Sequence, residues 1–190
     1  MGGGHFSLIP TGKTIWDEES RVSGALEVPL AEGENREFES TLKKVQILSI
    51  DRLFCGPTRS ARETGDRISQ KLHLSLTLVE NLSELNLGVW QGMLESEIRV
   101  RYHRAYQIWK QLPSHVYPPL GENLQECQQR LIQSLRRIFR SCRGEFRIGF
   151  VLPPYAKTLL DLHLQQKPLD SLFQLLYEEK NITSYRSYLI

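Results

Sequence analysis

The sequence predicts an α/β fold: a three-layer sandwich with a mostly parallel central sheet flanked by helices, plus a small helical insertion. Three observations carry this. Short apolar runs ending in Gly or Pro recur along the chain and read as buried strands. Amphipathic stretches with three-to-four spacing lie between them. A chain of 190 residues with 40% hydrophobic side chains is long enough to bury one core of this kind. The expected organisation is a single domain over 1–190, with 1–4 a flexible lead-in and about 93–122 an insertion over one sheet edge.

His5 to Pro10 is an apolar run stopped by Pro10 and Gly12, and Arg52 to Gly56 repeats the pattern before Pro57. Leu74, Leu76 and Leu78 alternate with polar neighbours as a third strand, and Arg147 to Leu152 is a fourth, ended by Pro153 and Pro154. Pro57 suits the first turn of a helix running to about Leu72, because its missing N–H is one that a helix start leaves unpaired. Leu94, Ile98, Ala105, Trp109 and Leu112 mark a further helix. The clearest helix is Asn123 to Cys142, whose Leu124, Cys127, Leu131, Leu135, Ile138 and Cys142 fall on one face. Its arginines, Arg130 to Arg143, fall on the opposite, solvated face.

Twenty-four Lys and Arg against 22 Asp and Glu leave a formal charge of +2, so the whole-molecule field draws in neither nucleic acid nor membrane. Three cysteines at 55, 127 and 142 lack the pairing of a disulfide framework or zinc knuckle and fit a reducing compartment. The five histidines show no metal-ligand spacing, and neither metal nor cofactor is expected. No apolar run approaches the ~20 residues of a membrane span, and Phe6 occupies the position where a myristoylation signal wants Ser or Thr. A soluble, cytoplasmic protein is expected.

Ligands of such sheets collect beyond the carboxyl ends of the strands. There the chain reads Pro10-Thr11-Gly12-Lys13-Thr14-Ile15-Trp16-Asp17, with Arg21, Gly24 and Pro29-Leu30-Ala31 following, and then Gly56-Pro57-Thr58-Arg59-Ser60-Ala61-Arg62-Glu63-Thr64. Leu82-Ser83-Glu84, Gly88-Val89-Trp90-Gln91-Gly92, Pro119-Leu120-Gly121-Glu122-Asn123 and Val151-Leu152-Pro153-Pro154-Tyr155 complete the set. In spacing, these blocks resemble the histidine phosphatase superfamily, the phosphoglycerate-mutase-like family, from about Phe6 to Tyr185.

The resemblance implies phosphoryl transfer in the family through a nucleophilic His, two Arg that clamp phosphate, a second His and an acidic Glu. It also implies their loss here: Thr11 stands for the nucleophile, Pro10 and Ser60 for the arginines, and Pro153 for the second His, with Glu84 alone retained. Thr11 has only Pro and Ser expected around it and no base to activate it. The reading is a catalytically inactive, degenerate member acting in protein binding, scaffolding or regulation. Two alternatives stay open: a residual phosphomonoesterase or phosphoglycerate-mutase-like enzyme with a rearranged site, and a sensor that binds a phosphorylated metabolite. Lys13, Arg21, Arg59 and Arg62 are the candidate anion-binding residues. Arg136, Arg137, Arg140 and Arg143 are the candidate docking surface for an acidic protein; without interleaved aromatics, nucleic acid is the poorer fit.

Overall fold

The structure is a computed structural model and describes residues 4–33, 35–178 and 181–190. It contains β1 (His5–Pro10), α1 (Ile15–Glu18), α2 (Asn35–Ile47), β2 (Arg52–Cys55), α3 (Arg59–Leu72), β3 (Ser75–Leu78), α4 (Glu95–Arg101), α5 (His103–Gln111), α6 (Leu124–Ser141), β4 (Arg147–Leu152), α7 (Pro154–Leu164), α8 (Leu172–Glu178) and β5 (Thr183–Arg186). The strands form one sheet in the order β3-β2-β4-β1-β5, parallel except for β5, which runs antiparallel to β1. This is the α/β sandwich expected from the sequence.

The central strands are apolar at nearly every position because both sheet faces are covered. Phe6, Leu8, Phe54, Ile148, Phe150 and Leu152 meet α6 and α7 through Leu131, Leu135, Ile138, Ala156 and Leu159. Ile9, Leu53, Cys55 and Val151 meet Val45 of α2 and Ala61 and Ile68 of α3. In register, Pro10 pairs with Leu152 and Cys55 with Val151. The ends of β1, β4 and β2 therefore lie side by side, and the loops that leave them form one surface.

The helix α6 follows its sequence pattern closely. Asn123 caps it, accepting from Glu126 N at 2.8 Å while Glu126 Oε2 accepts from Asn123 N at 3.1 Å. Leu124, Cys127, Leu131, Leu135 and Ile138 are buried along one side. Arg130 departs from the expected solvated face. It leans back to Glu122 at 2.7 Å and to the carbonyls of Asn81 (3.0 Å) and Ser83 (3.1 Å), because the 81–84 loop passes within its reach.

Three further expectations are corrected. The α3 helix begins at Arg59, with Thr58 as its N-cap, so Pro57 precedes the helix instead of opening it. The stretch 94–112 is two helices, broken at Tyr102 (φ −121°, ψ 38°). The seven-residue gap between Ile98 and Ala105 in the apolar pattern marks that break, which lets both Tyr102 and Trp109 reach the Trp90 ring, at 6.2 and 5.9 Å. The β3 strand is shorter than expected and lies at the sheet edge, with Leu78 46% exposed. Strand β5 and helix α8 were not foreseen. No helix among the described residues is long and apolar enough to cross a membrane.

Candidate functional site

The site is built where β1, β2 and β4 end. Thr11 N donates to the Leu152 carbonyl at 3.1 Å, and Gly12 N donates to Thr64 Oγ1 of α3 at 3.1 Å, so the turn after β1 is pinned to both neighbours. Gly56 lies against the Leu82 carbonyl, where an added Cβ would collide with backbone. That close approach carries the 82–84 loop over the end of β2. Pro10 and Thr11 are half-buried and Ser60 and Pro153 buried; with Glu84 these are the five positions singled out from the sequence, and the fold brings their segments together.

Glu84 is 3% exposed, and its carboxylate points into the start of α7. Oε1 accepts from Leu85 N at 2.8 Å and Ala156 N at 2.7 Å, and Oε2 accepts from Tyr155 N at 2.9 Å. Burial pushes its pKa up to about 7, against the pull of these three donors and of Arg130. A helix start is an anion site because its first N–H groups are unpaired. Here Pro153 caps α7 and Pro154 opens it, and neither has an N–H; the next two donors go to Glu84, and Lys157 N bonds Pro153 O at 3.0 Å. The protein's own carboxylate occupies the place an anion would take.

The four candidate anion-binding cations each carry a carboxylate partner. Lys13 Nζ lies 3.2 Å from Glu37, Arg21 Nε 3.0 Å from Glu19, Arg59 Nε 2.7 Å from Glu63, and Arg62 NH2 2.5 Å from Glu27. Arg62 also donates to the Pro57 carbonyl and Arg21 to the Gly92 carbonyl, at 2.5 Å for the latter. Glu63 is held in turn by Leu30 N at 2.9 Å. Arg59 and Arg62 thus flank Ser60 in sequence but are drawn to different acids. The surrounding segment reinforces this: residues 17 to 37 hold seven acidic side chains against two arginines.

The sequence reading missed these acids. Glu63 was accessible to it, four residues after Arg59 on one helix; Glu27 reaches its partner from a loop, Glu19 from the end of α1 and Glu37 from the first turn of α2, placements that no periodicity around their partners announces. Cys55, at the end of β2, is buried, which pushes its thiol up to about 11 and leaves it protonated and unreactive. Among the described residues no cluster of His, Cys, Asp or Glu could hold a metal ion. Arg136, Arg137 and Arg140 are exposed on the side of α6 away from the sheet, and Arg143, exposed as well, follows the helix end.

Comparison with known proteins fits this architecture. The chain is 27% identical over 131 residues to a Bacillus subtilis protein named uncharacterized phosphatase PhoE, a match covering 69% of this chain and 62% of that protein. It is 24% identical over 160 residues to the probable phosphoglycerate mutase GpmB of Cronobacter sakazakii, covering 82% of this chain and 67% of that one. For the first relatives, the match spans about three-fifths of their length or less. Among solved structures, Bacillus stearothermophilus YhfR superposes with a TM-score of 0.83 at 25% identity, covering 90% of this chain and 84% of its own. The model of the histidine phosphatase superfamily (branch 1) matches residues 8–181, nearly the whole span from β1 to the approach to β5, and the chain belongs to that superfamily.

Proposed function

We propose that this chain is a histidine-phosphatase-like protein that has given up phosphoryl transfer and works by binding, as a scaffold or regulator. One observation carries the reading: the converging strand ends present Pro10, Thr11, Ser60 and Pro153, and the retained Glu84 is spent on the start of α7. Attack on phosphorus needs an activated nucleophile and donors for the developing charge. Losing one such donor costs other enzymes ~3 kcal/mol of barrier or more. Thr11 has its amide tied to Leu152, and the nearby cations sit on their own acids, so a dianionic ester meets neutralised charge.

The test is hydrolysis of a generic aryl phosphate from acid to neutral pH beside the Glu84→Gln variant. Equal, background rates support the proposal; turnover lost in Glu84→Gln overturns it. A complementary variant carries Pro10→Arg, Thr11→His, Ser60→Arg and Pro153→His together. Vanadate affinity gained by a folded variant would support the alignment of the site; a folded variant without it would place the ancestral pocket elsewhere. A second reading, a phosphomonoesterase or mutase with a rearranged site, is favoured by the phosphatase and mutase names of the relatives. It requires the Glu84 carboxyl to leave the start of α7 and act as the acid, and so predicts the opposite outcome of the first test. A metabolite sensor would instead show thermal stabilisation by a phosphorylated ligand without turnover.

A further inference from the structure

We propose that the outer face of α6 and the turn after it dock an acidic peptide segment of a partner protein, through Arg136, Arg137 and Arg140 on the helix and Arg143 beyond its end. Residues 136 to 147 hold five arginines and no lysine, against Glu145 alone, in a chain whose total charge is only +2. Among the described residues, Arg137, Arg140 and Arg143 enter no ion pair, and Arg136 donates through Nε to the main-chain oxygen of Ile190 at 2.8 Å. The surroundings of Arg137, Arg140 and Arg143 differ from those of the four cations beside the strand ends, each of which is matched by a carboxylate.

Helix stability does not account for this arrangement. Like charges three and four residues apart destabilise a helix, and on α6 Arg140 has arginines three and four positions before it. A cation in the last turn complements the helix dipole, but only Arg140 lies there; Arg136 and Arg137 are a turn upstream. The face therefore concentrates positive charge at a cost to the helix.

The chemistry selects carboxylates on a peptide over nucleic acid. Guanidinium groups present planar forks that match carboxylates bidentately. The helical part of the patch, Arg136 to Arg140, is about 6 Å long, and with Arg143 beyond the helix end the four cations could meet only about three or four phosphates, which is too few for firm backbone binding at physiological salt. The aromatic rings of this segment are turned inward: Phe139 packs on Phe6 at 5.1 Å and on Phe146 at 5.7 Å, leaving none for base stacking. This deepens the binding role proposed above, and it concerns a surface separate from the strand ends, so peptide binding and ester hydrolysis fail independently.

The experiment measures fluorescence anisotropy of a fluorescein-labelled, Glu-rich dodecapeptide with the whole protein, beside an oligonucleotide of equal charge. Charge reversal of two arginines, Arg137→Glu with Arg140→Glu, should weaken peptide binding about tenfold or more. The same reversal at Arg101 and Arg104, in the other basic stretch, should leave it within about twofold. The pair Arg137→Lys and Arg140→Lys keeps the charge but not the fork and should lose several-fold. Circular dichroism melts establish that each variant is folded. Equal losses from both reversals, tighter binding of the oligonucleotide, or no peptide binding by the unaltered protein would each overturn the proposal.

Discussion

Replacing Glu84 by Gln separates the two forces that act on this carboxyl group. Burial pushes its pKa from 4.5 to about 7. The native state then keeps a proton that the unfolded chain has released between about pH 4.5 and 7. The unfolded chain binds fewer protons across that window, so stability falls as pH rises through it and levels off above. At 1.36 kcal/mol per unit, a shift of this size amounts to about 3 kcal/mol. Gln does not titrate, and the dependence vanishes with it. The amide has one acceptor where the carboxylate has two. With its oxygen in the Oε1 place it keeps the bonds from Leu85 and Ala156 and sets an NH2 against the Tyr155 N–H. Orphaning that donor costs about 1–3 kcal/mol at any pH. Wild type should therefore be the more stable protein near pH 5, and the variant should match or exceed it near pH 8. Urea midpoints across this range, at unchanged m-value, measure the difference. Carboxyls with lowered pKa, Glu63, Glu95 and Asp170, contribute to both proteins and cancel. A difference that is flat with pH, or that moves toward wild type as pH rises, would refute the reasoning: the N–H donors would then outweigh burial, and Glu84 would be a permanent anion.

The buried Cys55 thiol, pushed up to about 11, should resist alkylation in the native protein and label only once urea unfolds it; rapid native labelling would reveal an open site beside β2. In Gly56→Ala the added methyl meets the Leu82 carbonyl and should lower stability by about 2–3 kcal/mol, seen as a lower melting temperature; an unchanged melt would mean that the 82–84 loop yields freely. Asp161 accepts from Lys157, Thr183 and Tyr185, each at 2.7 Å, and joins α7 to the edge strand. Its replacement by Ala should cost about 3–5 kcal/mol and speed amide exchange in β5, whereas unaltered exchange would show that backbone pairing with β1 holds the strand by itself.

What the sequence revealed depended on how each element is stabilised. α6 was legible almost to the residue because one apolar face and an Asn–Glu capping box specify it locally. The central strands β1, β2 and β4 were legible because both sheet faces are buried and Gly or Pro ends each run, and β3 through the alternation of its leucines. β5 was not, because Thr183–Arg186 is polar and half-exposed; it becomes a strand through pairing with β1 and through hydroxyls that reach Asp161, contacts far apart in sequence. At the strand ends, the segments that meet could be named from spacing, but the electrostatic state of their side chains could not. Arg59 and Arg62 looked like one positive pocket on one helix. Glu27 and Glu63 divide them, and Glu27 arrives on a loop without periodicity.

Several of the blocks noted in the sequence are ones that the backbone itself requires. Gly88, at φ +52°, lies against the Pro119 carbonyl, where a Cβ would collide, and Gly121 leaves a Cβ only 3.0 Å from Gly88 N. Glu122 N donates to the Asn86 carbonyl at 2.9 Å, and Asn86 N to Glu122 Oε1 at 3.0 Å. Arg130 then binds Glu122 and the 81–84 carbonyls, and Glu84 passes the connection to α7. This continuous set of contacts runs from α6 through the 82–92 loop to the helix beyond β4. A change at any of its members would leave buried donors or colliding backbone whether or not phosphate ever binds. Side chains whose only partner is a phosphate carry no such penalty in the unliganded protein. In the proposed alignment Pro10, Thr11, Ser60 and Pro153 stand at positions of that second kind, so the fold would keep its loops in place whether or not phosphoryl chemistry is retained.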